Sequence, residues 1–273
     1  MAMFPKIILI DNYNRCNLKC SICDHKNMTR PIKYMEIPLY HKIIDEIASE
    51  SPETRVWEIY FGDPFLCRDM PERIKYAKKA GLKDVVLNSN GLAMTWDRAR
   101  RMIDAGLDWM YVGIDAATEE TYRKIRVGGR YDLVKRNVLE YRKMSPNIFV
   151  QFVETEINKH EKEAFIKFWH EHGVSVKIRP MVSWIGLIDN GNNNPKEKTE
   201  ICYWYKNSMS ILNNGDVSLC ACDLHGRFIQ GEVRTRKIKE VWSEMQLRDP
   251  EPCKTCKDWE AASAKYIERD EDV

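Results

Sequence analysis

Short apolar segments alternate six times with segments of helical periodicity along the first two thirds of the chain. The apolar segments, each five or six residues long, are residues 6–10, 56–61, 84–88, 109–114, 148–153 and 174–178. Parallel strands need crossover helices, so six such units imply a parallel sheet. Six units are too few for a closed eight-stranded barrel. They predict an open, partial (β/α)6 TIM-like barrel of the α/β class, with its chemistry at the C-terminal ends of the strands.

The segments between the predicted strands contain helix start and stop residues. Asp69 and Pro71 mark the beginning of one helix, and Gly81 marks its end. Asn158 followed by Glu161 has the spacing of a capping box and predicts the beginning of another helix. These residues make the alternation of strands and helices a stronger prediction than hydrophobic periodicity alone.

Composition limits the partners and the compartment. The chain has 273 residues, 43 basic and 41 acidic, which disfavours nucleic acid or an anionic membrane as the main partner. No apolar stretch is long enough to cross a membrane. Nine cysteines, an odd number, with CxxC-type spacing and no signal-peptide pattern, predict a cytoplasmic metalloprotein in a reducing compartment.

A polar segment at residues 189–195 separates the strand-rich part of the chain from most of the remaining cysteines. We therefore expect two domains, the partial barrel at residues 1–188 and a second unit at residues 189–273. The second unit comprises a linker, a small cysteine-rich domain and a C-terminal helix.

Three cysteines follow the first predicted strand: Cys16, Cys20 and Cys23, with CxxxCxxC spacing. Three thiolates on one loop can hold three irons of a 4Fe–4S cluster and leave the fourth iron open to bind and cleave a small molecule. A structural zinc site is the alternative, although such sites prefer four ligands in paired CxxC units.

The CxxxCxxC spacing, with Asn17 and Leu18 inside it, resembles the radical S-adenosylmethionine (SAM) superfamily. The resemblance spans roughly residues 5–260 and implies that the open iron chelates the amino and carboxylate groups of SAM. Ile22 departs from the family pattern, in which an aromatic residue usually precedes the third cysteine and packs near the adenine.

The second predicted strand ends in Phe61, Gly62, Asp63 and Pro64. This segment resembles the GGEP motif of the superfamily, whose backbone carbonyls and acidic group hold the methionine amine. Asp63 replaces the usual glutamate and Phe61 the first glycine. A plain Gly-Asp-Pro turn is the alternative interpretation.

Other strand ends provide further candidate SAM contacts. Asn88, Ser89 and Asn90 end the third strand and resemble the TNG element, which implies contacts to the ribose. Asp115 follows the fourth strand, a typical place for a residue that contacts ribose or substrate. Thr155 follows the fifth strand and is expected to contact SAM.

The later cysteines predict a second cluster. Cys202, Cys220, Cys253 and Cys256 supply four thiolates, enough to close a 4Fe–4S cluster. This pattern resembles the SPASM/Twitch extension in its short form, with one auxiliary cluster; a four-thiolate zinc site has the same ligands. Cys222 has three alternative roles: a further ligand, a hydrogen-atom donor facing the active site, or a buried neighbour of the ligands.

A hairpin turning at residues 213–216 is expected to bring Cys202 and Cys220 together.

Arg179, at the end of the sixth strand, is expected to clamp the methionine carboxylate, or to bind or deprotonate a substrate hydroxyl. A salt-bridged surface arginine is the alternative. With Cys222 and Asp115 it completes the set of catalytic candidates.

The resemblance implies that SAM is cleaved to a 5′-deoxyadenosyl radical, which abstracts hydrogen from a small hydroxylated substrate such as a sugar or aminocyclitol. Twitch aminocyclitol dehydrogenases have a similar cysteine spacing, so we expect alcohol dehydrogenation with the auxiliary cluster as electron acceptor. A flavodoxin or ferredoxin would supply the first electron.

Three alternatives remain open: an epimerase with Cys222 as hydrogen donor, a peptide-modifying maturase, and a non-catalytic module stabilised by zinc. Resemblance to the molybdopterin-pathway cyclase is weaker, because its C-terminal cysteine pattern differs.

Overall fold

The computed structural model describes residues 4–190, 201–248 and 250–259. Residues 191–195 of the predicted linker and the end of the chain lie outside these ranges, so the predicted C-terminal helix is not described in full. Within these ranges, no helix is both long and apolar enough to cross a membrane.

The described residues form one sheet of nine strands. The strands are β1 (Ile7–Ile10), β2 (Arg55–Trp57), β3 (Asp84–Ser89), β4 (Trp109–Gly113), β5 (Ile148–Glu154), β6 (Ser175–Pro180), β7 (Ser208–Ile211), β8 (Asp216–Ser218) and β9 (Ile229–Glu232). Their order across the sheet is β6-β5-β4-β3-β2-β1-β7-β8-β9, and β1 to β6 are parallel. β6 does not pair with β1. The predicted α/β fold with an open, partial TIM-like barrel is therefore confirmed.

Among the described residues, six α-helices connect or follow the parallel strands, and three more lie in the cysteine-rich part. They are α1 (Ile37–Glu50), α2 (Met70–Ala80), α3 (Trp96–Asp104), α4 (Glu119–Ile125), α5 (Tyr131–Met144), α6 (Lys162–Glu171), α7 (Tyr203–Asn207), α8 (Ile238–Gln246) and α9 (Glu251–Lys254). Gly81 ends α2 as predicted, with a positive φ of 109° that suits glycine.

The predicted capping box at Asn158 and Glu161 is wrong. Helix α6 begins only after Glu161, and neither side chain caps it. The Glu161 carboxylate instead accepts hydrogen bonds from the backbone N–H of Ala117 (2.6 Å) and Thr118 (3.1 Å), at the beginning of α4. Asn158 donates its side-chain amide to the carbonyl of Asp115 at 2.8 Å. Both side chains therefore stabilise the loop after β4 and not their own helix.

The predicted hairpin is confirmed as the antiparallel pair β7 and β8. The sequence did not predict that β7 also pairs in parallel with β1, in the register Ile7↔Ser208 to Ile10↔Ile211. The cysteine-rich segment therefore continues the sheet of the partial barrel. The proposed division at residue 188 stays a prediction.

Side chains alternate between the two faces of the parallel strands, as strand geometry requires. The outward set packs with the helices and includes Ile8, Val56, Val85, Met110, Val112, Ile148 and Val150. The inward set forms a separate, largely aromatic cluster with α7: Ile7, Leu9, Trp57, Val86, Tyr111, Phe149 and Trp204. A partly buried ion pair between Arg55 Nε and Asp84 Oδ2 (2.7 Å) lies two residues before Trp57 and Val86, toward the N-terminal ends of their strands. The inward face therefore provides a packed floor for anything bound at the C-terminal ends of the strands.

Candidate active site

A cavity of about 250 Å³ lies at the C-terminal ends of the parallel strands, where the fold class predicts chemistry. The side chains or backbone of Cys16, Cys20 and Cys23 line it together with residues of β1 to β6 and of the cysteine-rich segment. The structure therefore brings the predicted cysteine tripod and several predicted strand-end residues to one place.

The loop that carries the three cysteines is fixed by backbone contacts. The N–H groups of Lys19 and Ser21 donate to the carbonyls of Val127 (2.9 Å), just after α4, and Ile125 (2.8 Å), its last residue. Leu18, Ile22 and Ile125 form a small apolar cluster around Cys20. Loop and helix end therefore hold each other in place.

Burial raises the pKa of Cys16 to about 11, with smaller contributions from Asp63 and Cys20. Burial likewise raises the pKa of Cys23 to about 12, with smaller contributions from the two neighbouring thiols. Soft thiolate donors in an apolar setting suit an iron–sulfur cluster. Among the described residues, no three side chains of His, Cys, Asp or Glu form a group suited to holding a metal ion.

The Gly62–Asp63 turn supports the cysteine loop rather than pointing its acid into the cavity. Phe61 and Gly62 line the cavity, but Asp63 and Pro64 do not. The fully buried Asp63 carboxylate accepts hydrogen bonds from the Ser89 hydroxyl (2.8 Å) and from the N–H of Asn90 (2.9 Å) and of Phe65. Burial raises the pKa of Asp63, while these hydrogen bonds oppose the shift. Asp63 therefore joins the turn after β2 to the end of β3.

Asn88, Ser89 and Asn90, at the end of β3, all line the cavity. The Asn90 amide donates to Asn17 Oδ1 at 2.7 Å, and its nitrogen lies 3.9 Å from Cys16 Sγ. The end of β3 is thus tied directly to the cysteine loop.

Asp115 and Thr155, two predicted ligand contacts, do not line this cavity. Asp115 is fully buried with a φ of 63°, and its carboxylate accepts from the N–H of Val153 at 2.7 Å. The Thr155 hydroxyl donates to Asn158 at 3.0 Å. Both residues therefore shape the loops around the cavity.

Arg126 occupies the cavity wall in front of Asp115, a role that the sequence did not reveal. Its guanidinium is 2.5 Å from the Asp115 carboxylate, and its Nη1 is 3.8 Å from Cys20 Sγ. The carboxylate and the nearby Cys20 raise the arginine's pKa against the effect of burial, which alone would lower it. The glycine at 113 makes room for the guanidinium, since a Cβ there would lie 2.0 Å from Nη2.

Arg179 lines the cavity, and Lys177, two residues earlier on β6, lines it as well. Gln151 of β5 is the register partner of Lys177 and also faces the cavity. Lys177 and Gln151 were not predicted from the sequence, although each is a polar residue between two apolar neighbours in its strand.

Five cysteines surround a second cavity of about 30 Å³: Cys202, Cys220, Cys222, Cys253 and Cys256. The four predicted auxiliary ligands are thus brought together, and Cys222 joins them. The N–H of Cys222 donates to Cys220 Sγ at 3.4 Å, and burial raises the pKa of Cys256 to about 12. Cys222 also lines the larger cavity, so it lies between the two sites.

The auxiliary segment is connected to the larger cavity through Asp258. This buried carboxylate accepts from the N–H (2.6 Å) and the hydroxyl (2.9 Å) of Ser183 and from the N–H of Ile185 (3.0 Å). Between them, Trp184 donates its indole N–H to the carbonyl of Ile22 at 2.8 Å. One chain of contacts therefore links both cysteine groups.

An open barrel with a three-cysteine loop at the strand ends and a second group of cysteines is the arrangement expected of an iron–sulfur enzyme with a TIM-like fold. The family model described as the radical SAM superfamily matches residues 13–168, more than half of the sequence. The chain belongs to the radical SAM superfamily. A SPASM model, described as an iron–sulfur cluster-binding domain, matches residues 202–260. These two domains imply SAM and iron–sulfur clusters as cofactors.

Solved structures with little sequence identity share the fold. BtrN in complex with AdoMet and 2-DOIA has a TM-score of 0.66 at 15% identity, covering 97% of this chain and 94% of that one. Streptococcus suis SuiB bound to precursor peptide SuiA has a TM-score of 0.74 at 13% identity, covering 89% of this chain and 65% of that one.

Curated relatives match only part of the sequence. A probable GTP 3′,8-cyclase of Methanococcus maripaludis is 34% identical over 125 residues, 45% of this chain and 41% of that protein. A 7,8-dihydro-6-hydroxymethylpterin dimethyltransferase of Methanocaldococcus jannaschii is 27% identical over 188 residues, 66% of this chain and 37% of that protein. The chain thus spans about two fifths of the length of these relatives.

Proposed function

We propose that this chain is a radical SAM dehydrogenase that oxidises an alcohol of a small hydroxylated substrate. The supporting observation is that residues 221 and 222 line the large cavity, while Cys220 and Cys222 line the auxiliary thiol site. A substrate in the large cavity would therefore be separated from the auxiliary site by one short segment of chain. Such proximity suits electron transfer from substrate to a second cluster.

The cofactors, when bound, would supply the radical and redox chemistry: SAM on the open-iron cluster a 5′-deoxyadenosyl radical, and the closed cluster a one-electron acceptor. Cys16, Cys20 and Cys23 would hold the first cluster, and the four cysteines at 202, 220, 253 and 256 the second. Oxidation of the alcohol removes a hydrogen atom from carbon, a proton from oxygen and one electron, and leaves a ketone.

The remaining cavity residues position SAM and substrate and exclude water. Asn88 lines the cavity beside the cysteine loop and would bind SAM. Arg179, on β6, would clamp the methionine carboxylate or bind the substrate hydroxyl. The rings of Phe61 and Trp184, with centroids 5.2 Å apart, would shield the reacting atoms from solvent.

A comparison of two ligand variants tests the proposal. Anaerobically reconstituted wild-type protein should hold about eight irons and show an EPR signal that shifts with SAM. Cys20→Ser should lose the first cluster and all 5′-deoxyadenosine formation. Cys256→Ser should still cleave SAM but yield no ketone from candidate sugars. Ketone formation by Cys256→Ser at the wild-type rate would refute electron transfer to the auxiliary site, and zinc without iron would refute the enzyme itself.

An epimerase is the second candidate, because Cys222 lines the large cavity and a thiol there can return a hydrogen atom to the opposite face of a substrate radical. Cys222→Ala should then abolish inversion of a stereocentre and leave 5′-deoxyadenosine formation intact. Inversion that persists in Cys222→Ala would exclude this candidate.

A flavodoxin or ferredoxin in a reducing compartment such as the cytoplasm is the electron donor that we propose for either reaction. A purified flavodoxin system replacing dithionite in the SAM-cleavage assay tests this.

A further inference from the structure

Three residues on the inward strand faces, each with a polar group in its side chain, have no part in the proposed oxidation. Trp57 ends β2, Gln151 lies in β5 and Lys177 in β6, and all three line the large cavity. They are 8%, 4% and 7% exposed. Lys177 lies two residues before Arg179, so it is one inward layer further from the cysteine loop. These residues form the deep wall of the cavity.

Two of these residues can offer hydrogen-bonding groups to a molecule in the cavity. The indole N–H of Trp57 is buried and has no hydrogen-bond partner among the described residues, and Gln151 lines the same cavity. Buried polar groups are nearly always paired in native proteins, and leaving one unpaired costs about 1–3 kcal/mol. A bound molecule that supplies the missing partners explains why polar groups occupy these interior positions.

The charge of the wall points to the kind of group that binds. Arg126, Lys177 and Arg179 line the cavity, and no described residue lining it is aspartate or glutamate. Asp115, behind the wall, neutralises Arg126. Ammonium and guanidinium groups only donate hydrogen bonds, whatever their other contacts. Their preferred ligands are carboxylate and phosphate oxygens, whereas a substrate cation placed beside Lys177 would be repelled by its ammonium group.

The aromatic residues at the floor of the cavity suit a ring in the same bound molecule. The Trp57 ring is held against Tyr111, with centroids 5.0 Å apart, and Trp204 lines the cavity beside it. Flat indole surfaces commonly pack against ring faces in ligands. Ring and oxyanion would thus be recognised by adjacent parts of one wall.

We propose that the substrate carries an oxyanion, a carboxylate or a phosphate, which Lys177 and Gln151 bind while a ring of the substrate packs on Trp57. The inference rests on the proposed oxidation of a hydroxylated substrate and narrows its class. An acidic sugar fits this wall, and an aminocyclitol with protonated amines does not.

Binding of four probes that share one ring tests the proposal. Glucose, glucosamine, glucuronate and glucose 6-phosphate are titrated calorimetrically into the anaerobic, reconstituted, SAM-bound protein without an electron donor. The two acids should bind at least about tenfold more tightly than glucose, and glucosamine more weakly still. The tighter of the two acids distinguishes a carboxylate site from a phosphate site.

Variants test which side chain causes the preference for the two acids. Lys177→Met should remove the preference for the acids, whereas Lys167→Met, which removes a charge from a side chain that is 78% exposed, should keep it. Lys177→Arg should keep the preference and controls for folding. Trp57→Phe retains an aromatic ring without the N–H, and should weaken all four probes by a similar factor.

Three results would overturn the proposal: glucosamine or glucose binding as tightly as the acids, a preference that survives in Lys177→Met, or no binding of either acid at millimolar concentration. This assay measures binding without turnover and is therefore independent of the proposed oxidation. If the acids bind but a separate SAM-dependent assay shows no oxidation, the dehydrogenase is refuted and the oxyanion site is retained.

Discussion

Gly62 is the point where the turn after β2 meets the loop that carries the first cysteines, and its replacement by alanine tests how that loop is held. Its φ is +114°, and a Cβ there would lie 2.7 Å from the carbonyl oxygen of Tyr13 and 2.8 Å from that of Arg15. Both atoms belong to backbone, so the overlap cannot be relieved by rotation of a side chain. Relief requires the loop before Cys16 to move.

Gly81 provides a matched control because its φ is +109° and no heavy atom lies within 4 Å of its added Cβ. The strain of a left-handed alanine, about 1–2 kcal/mol, is therefore common to both variants. Overpacking adds about 1–3 kcal/mol in Gly62→Ala alone. At about 2 °C per kcal/mol for a chain of this size, we expect Tm to fall by about 4–10 °C in Gly62→Ala and by about 2–4 °C in Gly81→Ala.

The assay combines anaerobic thermal melts with iron content and EPR. Gly62→Ala should weaken the cluster signal that responds to SAM and keep the auxiliary signal, because the overlap affects only the first loop. Gly81→Ala should retain both signals. Equal losses of Tm, together with unchanged iron and EPR in Gly62→Ala, would show that the contact does not position the cysteine loop.

Two further predictions concern buried carboxylates outside the cysteine groups. Asp115→Asn leaves the guanidinium of Arg126 without its carboxylate and should cost about 3–5 kcal/mol; Asp104→Asn, in an exposed ion pair, should cost less than about 1 kcal/mol. Similar melts for the two variants would contradict this. Burial acts to raise the pKa of Glu161, but hydrogen bonds from Thr118 and its neighbours outweigh it and lower the pKa below 4.5. This stabilisation is therefore present above pH 4.5 and lost as pH falls through the lowered pKa. Glu161→Gln should be destabilised near neutral pH and approach wild type in urea unfolding at acid pH, and a constant difference at all pH values would refute the role of the charge.

The six strands could be predicted because each outward face is continuously apolar and the chain between strands contains local stop residues such as Gly81. The same local rule failed at Asn158 and Glu161. Their spacing satisfies a capping box, yet Glu161 binds the N–H groups of Ala117 and Thr118, more than 40 residues earlier. A local pattern cannot show that a distant helix start offers better partners.

The pairing of β7 with β1 could not be predicted from the local sequence either. Ile7 and Ser208 are partners in the sheet, but nothing in either segment specifies the other. The cysteine spacing predicted that the two thiol groups exist, while this pairing determines that they share a wall at residues 220–222. The distance between the sites, on which the proposed electron transfer depends, is therefore a property of the sheet order.

The polar residues inside the barrel could be located from local sequence, but their partners could not. Gln151 interrupts the apolar strand Ile148–Glu154, and Lys177 lies between two apolar residues of Ser175–Pro180. Because side chains alternate across a strand, a polar residue in phase with the inward set must lie inside the barrel. Its cost of burial is offset only if it meets a partner there. Gln151 and Lys177 therefore mark the proposed oxyanion site in the sequence, inside the strands and not in the loops that follow them.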